Sequence, residues 1–281
     1  MAISNFIPEL WTADTLDILK KRLVGEAICN QNIVEDAVSE GDTVHILTSS
    51  ALTDAAYPAT ANITYEAASD GTQDLSVNLK RYVAFTAEDI DKVQSRPNWV
   101  SQYTMQMGYQ LADYLDAQIM AEYANASLDS YETGSTAWQF AAAGTDVPYF
   151  FASIVRQLEV ANAPAGMPFV VGPPALGEAL NRYNGGRETA LGDRVTQNGF
   201  VGTMMGCNVY TSNNCGNSGQ DGIAGIEGQT IALVKQIASM EALRLEGRIA
   251  DGLRSLLVAG IKTYRPEILI DCHFNSTLIG S

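Results

Sequence analysis

Two histidines, four cysteines and a few paired carboxylates are the residues of this chain best suited to chemistry. Neither His45 nor His273 lies in an H-E-x-x-H or comparable metal-binding spacing, so both are read as structural. Cys29, Cys207, Cys215 and Cys272 form no C-x-x-C pair, and only Cys272 has a histidine, His273, beside it. Free thiols in a reducing compartment fit this pattern better than a disulfide framework. Glu88, Asp89 and Asp91, and separately Asp113 with Asp116, could hold a cation or share a proton. A solvated face is the simpler reading of both groups. The stretch FVVGPPALGEAL, Phe169 to Leu180, has the strand-turn-helix order of a phosphate loop. Pro173 and Pro174 have no N–H to offer an anion, and the next lysine is Lys235. Proline at the first turn of a helix is ordinary start chemistry, so the stretch reads as scaffold. No G-x-S-x-G, G-x-G-x-x-G or kinase signature occurs. No catalytic, cofactor-binding or metal-binding residue is therefore assigned.

With no site signature, composition carries more weight. A chain of 281 residues with 46% hydrophobic content can bury one large core or two medium ones. Its 17% of charged residues is below the roughly 25% usual for soluble domains, which points to surface covered by other chains. A net charge of −15 argues against a dedicated nucleic-acid binder, which needs Lys and Arg against the phosphates. It is compatible with lying beside DNA without adhering to it. The N-terminal MAISNFIPEL has no signal-peptide pattern, and no apolar run approaches the roughly 20 residues that span a bilayer.

The elements follow from periodicity. Residues 1 to about 30 carry an intermittent helical pattern through Leu16, Leu19, Leu23 and Ile28 after a Pro-Glu-Leu-Trp lead-in ending at Trp11. Val44 and Ile46, then Leu75, Val77 and Leu79, alternate with polar neighbours as half-buried strands do. The long Ala/Thr/Ser-rich stretch between them, which includes Tyr57, Pro58 and Tyr65, predicts a β-arm projecting from the body. Trp99, Tyr103, Met107, Leu111, Leu115 and Ile119 recur every fourth residue and predict a long, core-facing spine helix over 95–126. A second helix is expected over VPYFFASIVRQLEVAN, and a strand and third helix over MPFVVGPPALGEALNRY. The glycine-dense stretch through Gly216, Gly219, Gly222, Gly225 and Gly228 reads as loop. TIALVKQIASMEAL and SLLVAGIKTYRPEILIDCHF close the chain as strands. Strands interspersed with helices and closing on strands define an α+β fold.

This order resembles the HK97-fold major capsid proteins of tailed bacteriophages. The resemblance rests on FIPELWTADTLDILKKRLVGEAICN, EGDTVHI, VNLKRYVAFTAEDID, FVVGPPALGEAL and LRLEGRIADGLRSLLVAGIKTYRPEILI. It implies an N-arm over 1–40 and an extended loop with its strands over 41–94. It further implies a peripheral domain with the spine helix over 95–144, an axial domain over 145–240, and return strands over 241–281. The implied function is a coat protein that self-assembles as hexamers and pentamers into an icosahedral shell around double-stranded DNA. Such a shell has no cofactor and no membrane partner, touches its DNA weakly and non-specifically, and is assembled in the host cytoplasm with a portal. The resemblance places Trp11, Leu16, Leu19, Tyr57, Pro58 and Tyr65 at contacts between subunits. Some family members crosslink through a lysine of the extended loop, but no lysine lies between Lys21 and Lys80 here. Because the sequence opens at the arm, a separate scaffolding protein is expected. Within the fold, an encapsulin-like compartment is the alternative; from another class, the alternative is a soluble enzyme with scattered carboxylates.

Overall fold

The computed structural model describes residues 23–32, 43–49, 52, 54, 56, 65, 70–89, 99–140, 146–185, 200–247 and 249–279. The predicted hairpin forms in part: β1 (Thr43–Ser49) pairs antiparallel with β2 (Asp70–Ser76), from Thr43 opposite Ser76 to Ser49 opposite Asp70, but the run expected to continue through Leu79 breaks after Ser76 and Leu79 opens a strand of another sheet. Its apolar anchor is Leu75, fully buried with Ala232 and Val234 and flanked by Ile46 and Val77. Those two partners belong to β10 (Ile231–Arg244), which lies with β11 (Ala250–Thr263) and β3 (Leu79–Glu88) in a three-stranded antiparallel sheet ordered β10-β11-β3.

A short α1 (Gly25–Ile28) precedes the hairpin, and the spine helix is α2 (Trp99–Met120), continued by a 3-10 segment at Ala121–Asn125. Residues 95–98 of the expected span lie outside the described residues, as does the side-chain environment of Trp99. Met107, Leu111, Leu115 and Ile119 are buried as the stripe requires. Tyr103 departs from it, at 48% exposed. Its ring is 5.6 Å from that of Phe85 on β3, so the first turns of the helix lie against the rim of the small sheet rather than in the core. From Leu111 onward the stripe meets Leu233, Leu257 and Ala259 on one side and Phe169, Val171 and Ile223 on the other. The spine helix thus joins two sheets.

The second sheet has seven strands. Its path is β4 (Leu128–Ser130), β12 (Ile270–Ile279), β9 (Asp221–Ile226), β6 (Pro168–Gly172), β8 (Cys207–Thr211) and β7 (Phe200–Met204), with β5 (Trp138–Phe140) also on β12. In β6, Phe169 and Val171 face the spine helix and Val170 the opposite core. That core holds α3 (Val147–Val160) and α4 (Pro174–Gly185), packing Phe150, Ile154, Leu158, Leu176 and Leu180 against Phe274. The strand-turn-helix at Phe169–Leu180 is therefore packed scaffold, with Pro174 opening α4.

The glycine-dense stretch is not loop throughout. All six residues of β9 are buried and β9 sits mid-sheet between β12 and β6. A Cβ on Gly222 would overlap the Val171 carbonyl oxygen and approach Phe274 at 2.9 Å. A glycine strand lets the sheet and Phe274 close up, and it hides the alternation by which strands are recognised. Likewise β7 and β8 form a hairpin through Met205 (φ 50°) and Gly206 (φ 81°), the left-handed pair that a tight two-residue turn needs.

Candidate assembly interface

Trp11, Leu16, Leu19, Tyr57 and Pro58 lie outside the described residues. Tyr65, in the long connection between β1 and β2, is 89% exposed, and Leu52 is 70% exposed.

The segment that leads out of the N-terminal region is clamped. Val24 and Ile28 are buried against the spine helix, and Asn30 bridges to β10, its N–H donating to Ile231 O at 2.8 Å and its carbonyl accepting from Leu233 N at 3.0 Å. Asp116 closes the clamp. It is buried, not solvated as the sequence reading held, and its Oδ1 accepts the backbone N–H groups of Val24 (2.9 Å) and Gly25 (2.7 Å). Its Oδ2 accepts from Asn214 Nδ2 at 2.8 Å and from Ser212 Oγ, and the same Asn214 amide also reaches Asp113 at 2.8 Å. One carboxylate thus ties the N-terminal segment, the spine helix and the loop after β8. Position on a helix face alone could not reveal this, because the partners are some 90 residues away.

A cleft of about 320 Å³ opens on the three-stranded sheet, lined chiefly by Phe85, Thr86, Leu243, Leu245 and Leu253. Leu243 is 45% exposed and Ile249 75% exposed beside it. Ion pairs flank the cleft: Arg244 donates to Asp89 and, at 3.0 Å, to Asp251, and Arg254 to Glu241. The hydrogen bonds that Arg244 donates to Asp89 and Asp251 hold its guanidinium above its ordinary pKa. Exposed pairs of this kind add little stability; they fix the loop ends around an apolar surface. Asp89, read from sequence as part of a solvated acidic group, is engaged there.

All four cysteines are buried and free, and burial pushes the Cys207 thiol up to about 11 and that of Cys215 up to about 12. His45 stands opposite Asp74 in the β1–β2 register. His273 is held on β12 by Asp221 and stacks on Tyr131. Among the described residues no helix is long and apolar enough to cross a membrane.

A mixed sheet backed by two helices, joined through one long helix to a smaller sheet with an antiparallel hairpin packed on it, is the HK97-like architecture of a capsid shell subunit. The sequence model of the phage capsid protein family matches residues 72–268, and the chain belongs to that family. Among solved structures, a chain of Mycobacterium phage Che8 is similar at 26% identity and a TM-score of 0.79, covering 96% of this chain and 98% of that one. The capsid of cyanophage P-SCSP1u matches at 16% identity and a TM-score of 0.72, over 97% of this chain and 94% of the other. The mature capsid of bacteriophage PhiM1 matches at 12% identity and a TM-score of 0.68, over 95% and 92%. None of the curated proteins compared with the chain matches it. The protein is a structural coat protein of the phage capsid type.

Proposed function

We propose that this chain is the major capsid protein that closes an icosahedral shell around double-stranded DNA, as hexamers and pentamers of one polypeptide. The observation that carries the reading is the end-to-end likeness to the Che8 chain, which leaves no large part of either fold unmatched. One polypeptide tiling a closed surface needs heterologous contacts that tolerate small changes of angle. The β1–β2 projection with Tyr65 and the cleft at Leu243 are the surfaces we assign to those contacts, together with Trp11, Leu16, Leu19, Tyr57 and Pro58.

In this reading residues 1–40 are the N-arm and 41–94 the extended loop. The spine helix belongs to the peripheral domain, and the seven-stranded sheet forms the axial domain, taking in β4, β5 and β12. The net charge of −15 keeps contact with packaged DNA weak and non-specific. A separate scaffolding protein and a portal complete the assembly, which takes place in the host cytoplasm and ends in the virion. No catalytic step is assigned to the chain.

Sedimentation over a concentration series, with electron micrographs of the fast fraction, tests this. Closed shells that contain nuclease-protected DNA when taken from infected cells are expected. Shells enclosing a cargo protein instead of DNA, or a chain that stays monomeric even with its scaffold, refute it.

A further inference from the structure

The seven-stranded sheet carries a cluster of ionisable groups outside the surfaces assigned above to contacts between copies. Pairing register creates it. β4 runs parallel to β12 with Asp129 opposite Asp271, and β9 runs antiparallel with Asp221 opposite His273. Positions 271 and 273 are two apart on β12, so all four side chains share one face of the sheet. Carboxylates directly opposite one another on neighbouring strands repel. Here three of them surround a single imidazole.

The imidazole is fixed in one orientation. Tyr131 stacks on it at 4.2 Å with 15° between the rings, and Nδ1 is 3.0 Å from Asp221 Oδ1. An ionised carboxylate only accepts, so Nδ1 carries the proton and donates to Asp221. Nε2 then faces two further carboxylates, Asp129 Oδ1 at 3.4 Å and Asp271 Oδ2 at 3.6 Å. Both distances exceed the roughly 2.7–2.9 Å of a charge-assisted N–H···O bond. Asp271 is only 7% exposed, and its Oδ1 has no hydrogen-bond partner among the described residues. A buried carboxylate left part-satisfied between two like charges needs a positive partner.

Distance says which kind. One ligand atom each from Asp129, Asp271 and His273 can be chosen so that all three lie within 4.8 Å of one another. Two ligands on a tetrahedral Zn²⁺, each about 2.1 Å from the metal, are roughly 3.4 Å apart. The spacings at Nε2 are close to that edge. We propose that Asp129, Asp271 and His273 ligate a divalent cation of the Zn²⁺ type, with Asp221 holding the imidazole in the metal-binding tautomer. A carboxylate on the far nitrogen of a ligating histidine is the usual outer support of such sites. Mixed carboxylate and imidazole ligands favour Zn²⁺ or Mn²⁺ over Mg²⁺, and Asp129, exposed at the surface, leaves a way in and room for water as a fourth ligand. The cation ties β4 to β12 at the edge of the sheet and relieves the repulsion the register imposes.

The test uses the full chain, stripped with a chelator and titrated with Zn²⁺ by calorimetry, with Co²⁺ absorption reporting the coordination geometry. Expected is one Zn²⁺ per chain with micromolar or tighter affinity, a tetrahedral Co²⁺ spectrum, and a rise in Tm on Zn²⁺ addition. Asp129→Asn should weaken binding at least tenfold while leaving the stripped chain folded, with a Tm at or above the parent's because one of two opposed carboxylates is gone. Asp221→Asn should weaken it about 10–100-fold through the imidazole. No saturable uptake at micromolar Zn²⁺, or uptake by Asp129→Asn equal to that of the parent, overturns the proposal. These readouts do not depend on shell formation, so the site and the capsid reading can fail separately.

Discussion

Asp116 Oδ1 accepts the backbone N–H of Gly25 at 2.7 Å, across 91 positions of sequence. The contact puts a buried charge at the junction of the N-terminal segment with the spine helix, where the N–H of Val24 also depends on it. Asp116→Ala leaves both N–H groups without an acceptor, and a buried unsatisfied group costs about 1–3 kcal/mol. Urea unfolding of dissociated subunits should show a loss of about 3 kcal/mol or more. A loss below about 1 kcal/mol would show that water replaces the carboxylate and that the clamp is not needed.

Two glycines should respond to alanine in opposite directions. At Gly222 the added Cβ overlaps the Val171 carbonyl oxygen, which is backbone and cannot turn aside. Gly222→Ala should cost about 3 kcal/mol, as overpacking does at its upper range. Gly108 lies on the exposed side of the spine helix, where an added Cβ meets nothing within 4 Å. Gly108→Ala should stabilise by up to about 1 kcal/mol from helix propensity alone. Equal effects of the two changes would contradict both placements.

What the sequence made readable followed one rule: where side chains alternate or recur with the period of their element, the element was recoverable. Val44, Ile46 and Leu75 marked the hairpin, and Met107, Leu111, Leu115 and Ile119 marked the buried stripe. Tyr103 continued the same spacing but lies beyond the point where the helix leaves the core. β9 was lost because Gly222 and Gly225 carry no side chain to show a period. Asp116 and the group around His273 were lost for another reason. Their meaning depends on which strand or loop lies opposite, and register is a tertiary fact that one chain segment does not carry.

Burial also governs the thiols. The thiolate is the reactive form, and a thiol pushed up to about 11 or 12, as at Cys207 and Cys215, holds almost none at pH 8. Ellman's reagent should therefore label none of the four cysteines in the native protein and all four in denaturant. Fast labelling of even one native thiol would show that its core opens on the timescale of the assay.

The cleft on the small sheet predicts a separation of folding from assembly. Leu243 is partly exposed at its rim, so Leu243→Lys removes little buried area from the subunit and should shift its Tm only slightly. Set against an apolar surface of a neighbouring copy, the same charge is costly. Sedimentation should find folded, unassembled subunits; shells formed at parental yield would show that the cleft faces no other copy.

The β1–β2 connection offers the sharper version of that separation, because the hairpin it closes has a defined last pair. Ser49 stands opposite Asp70, so residues 50–69 can be exchanged for an Asn-Gly turn without altering the β1–β2 register. The apolar contact of the hairpin with the body lies further down, at Leu75 against Ala232 and Val234, and is untouched by the exchange. The shortened chain should therefore keep its fold, with a Tm at or slightly above the parent's because loop-closure entropy falls. It should nonetheless fail to close shells, since Tyr65 and its neighbours are removed from the surface they would reach on the next copy. Loss of the fold would place the connection in the subunit's own core, and normal shells would show that contacts elsewhere, such as the cleft at Leu243, suffice for assembly.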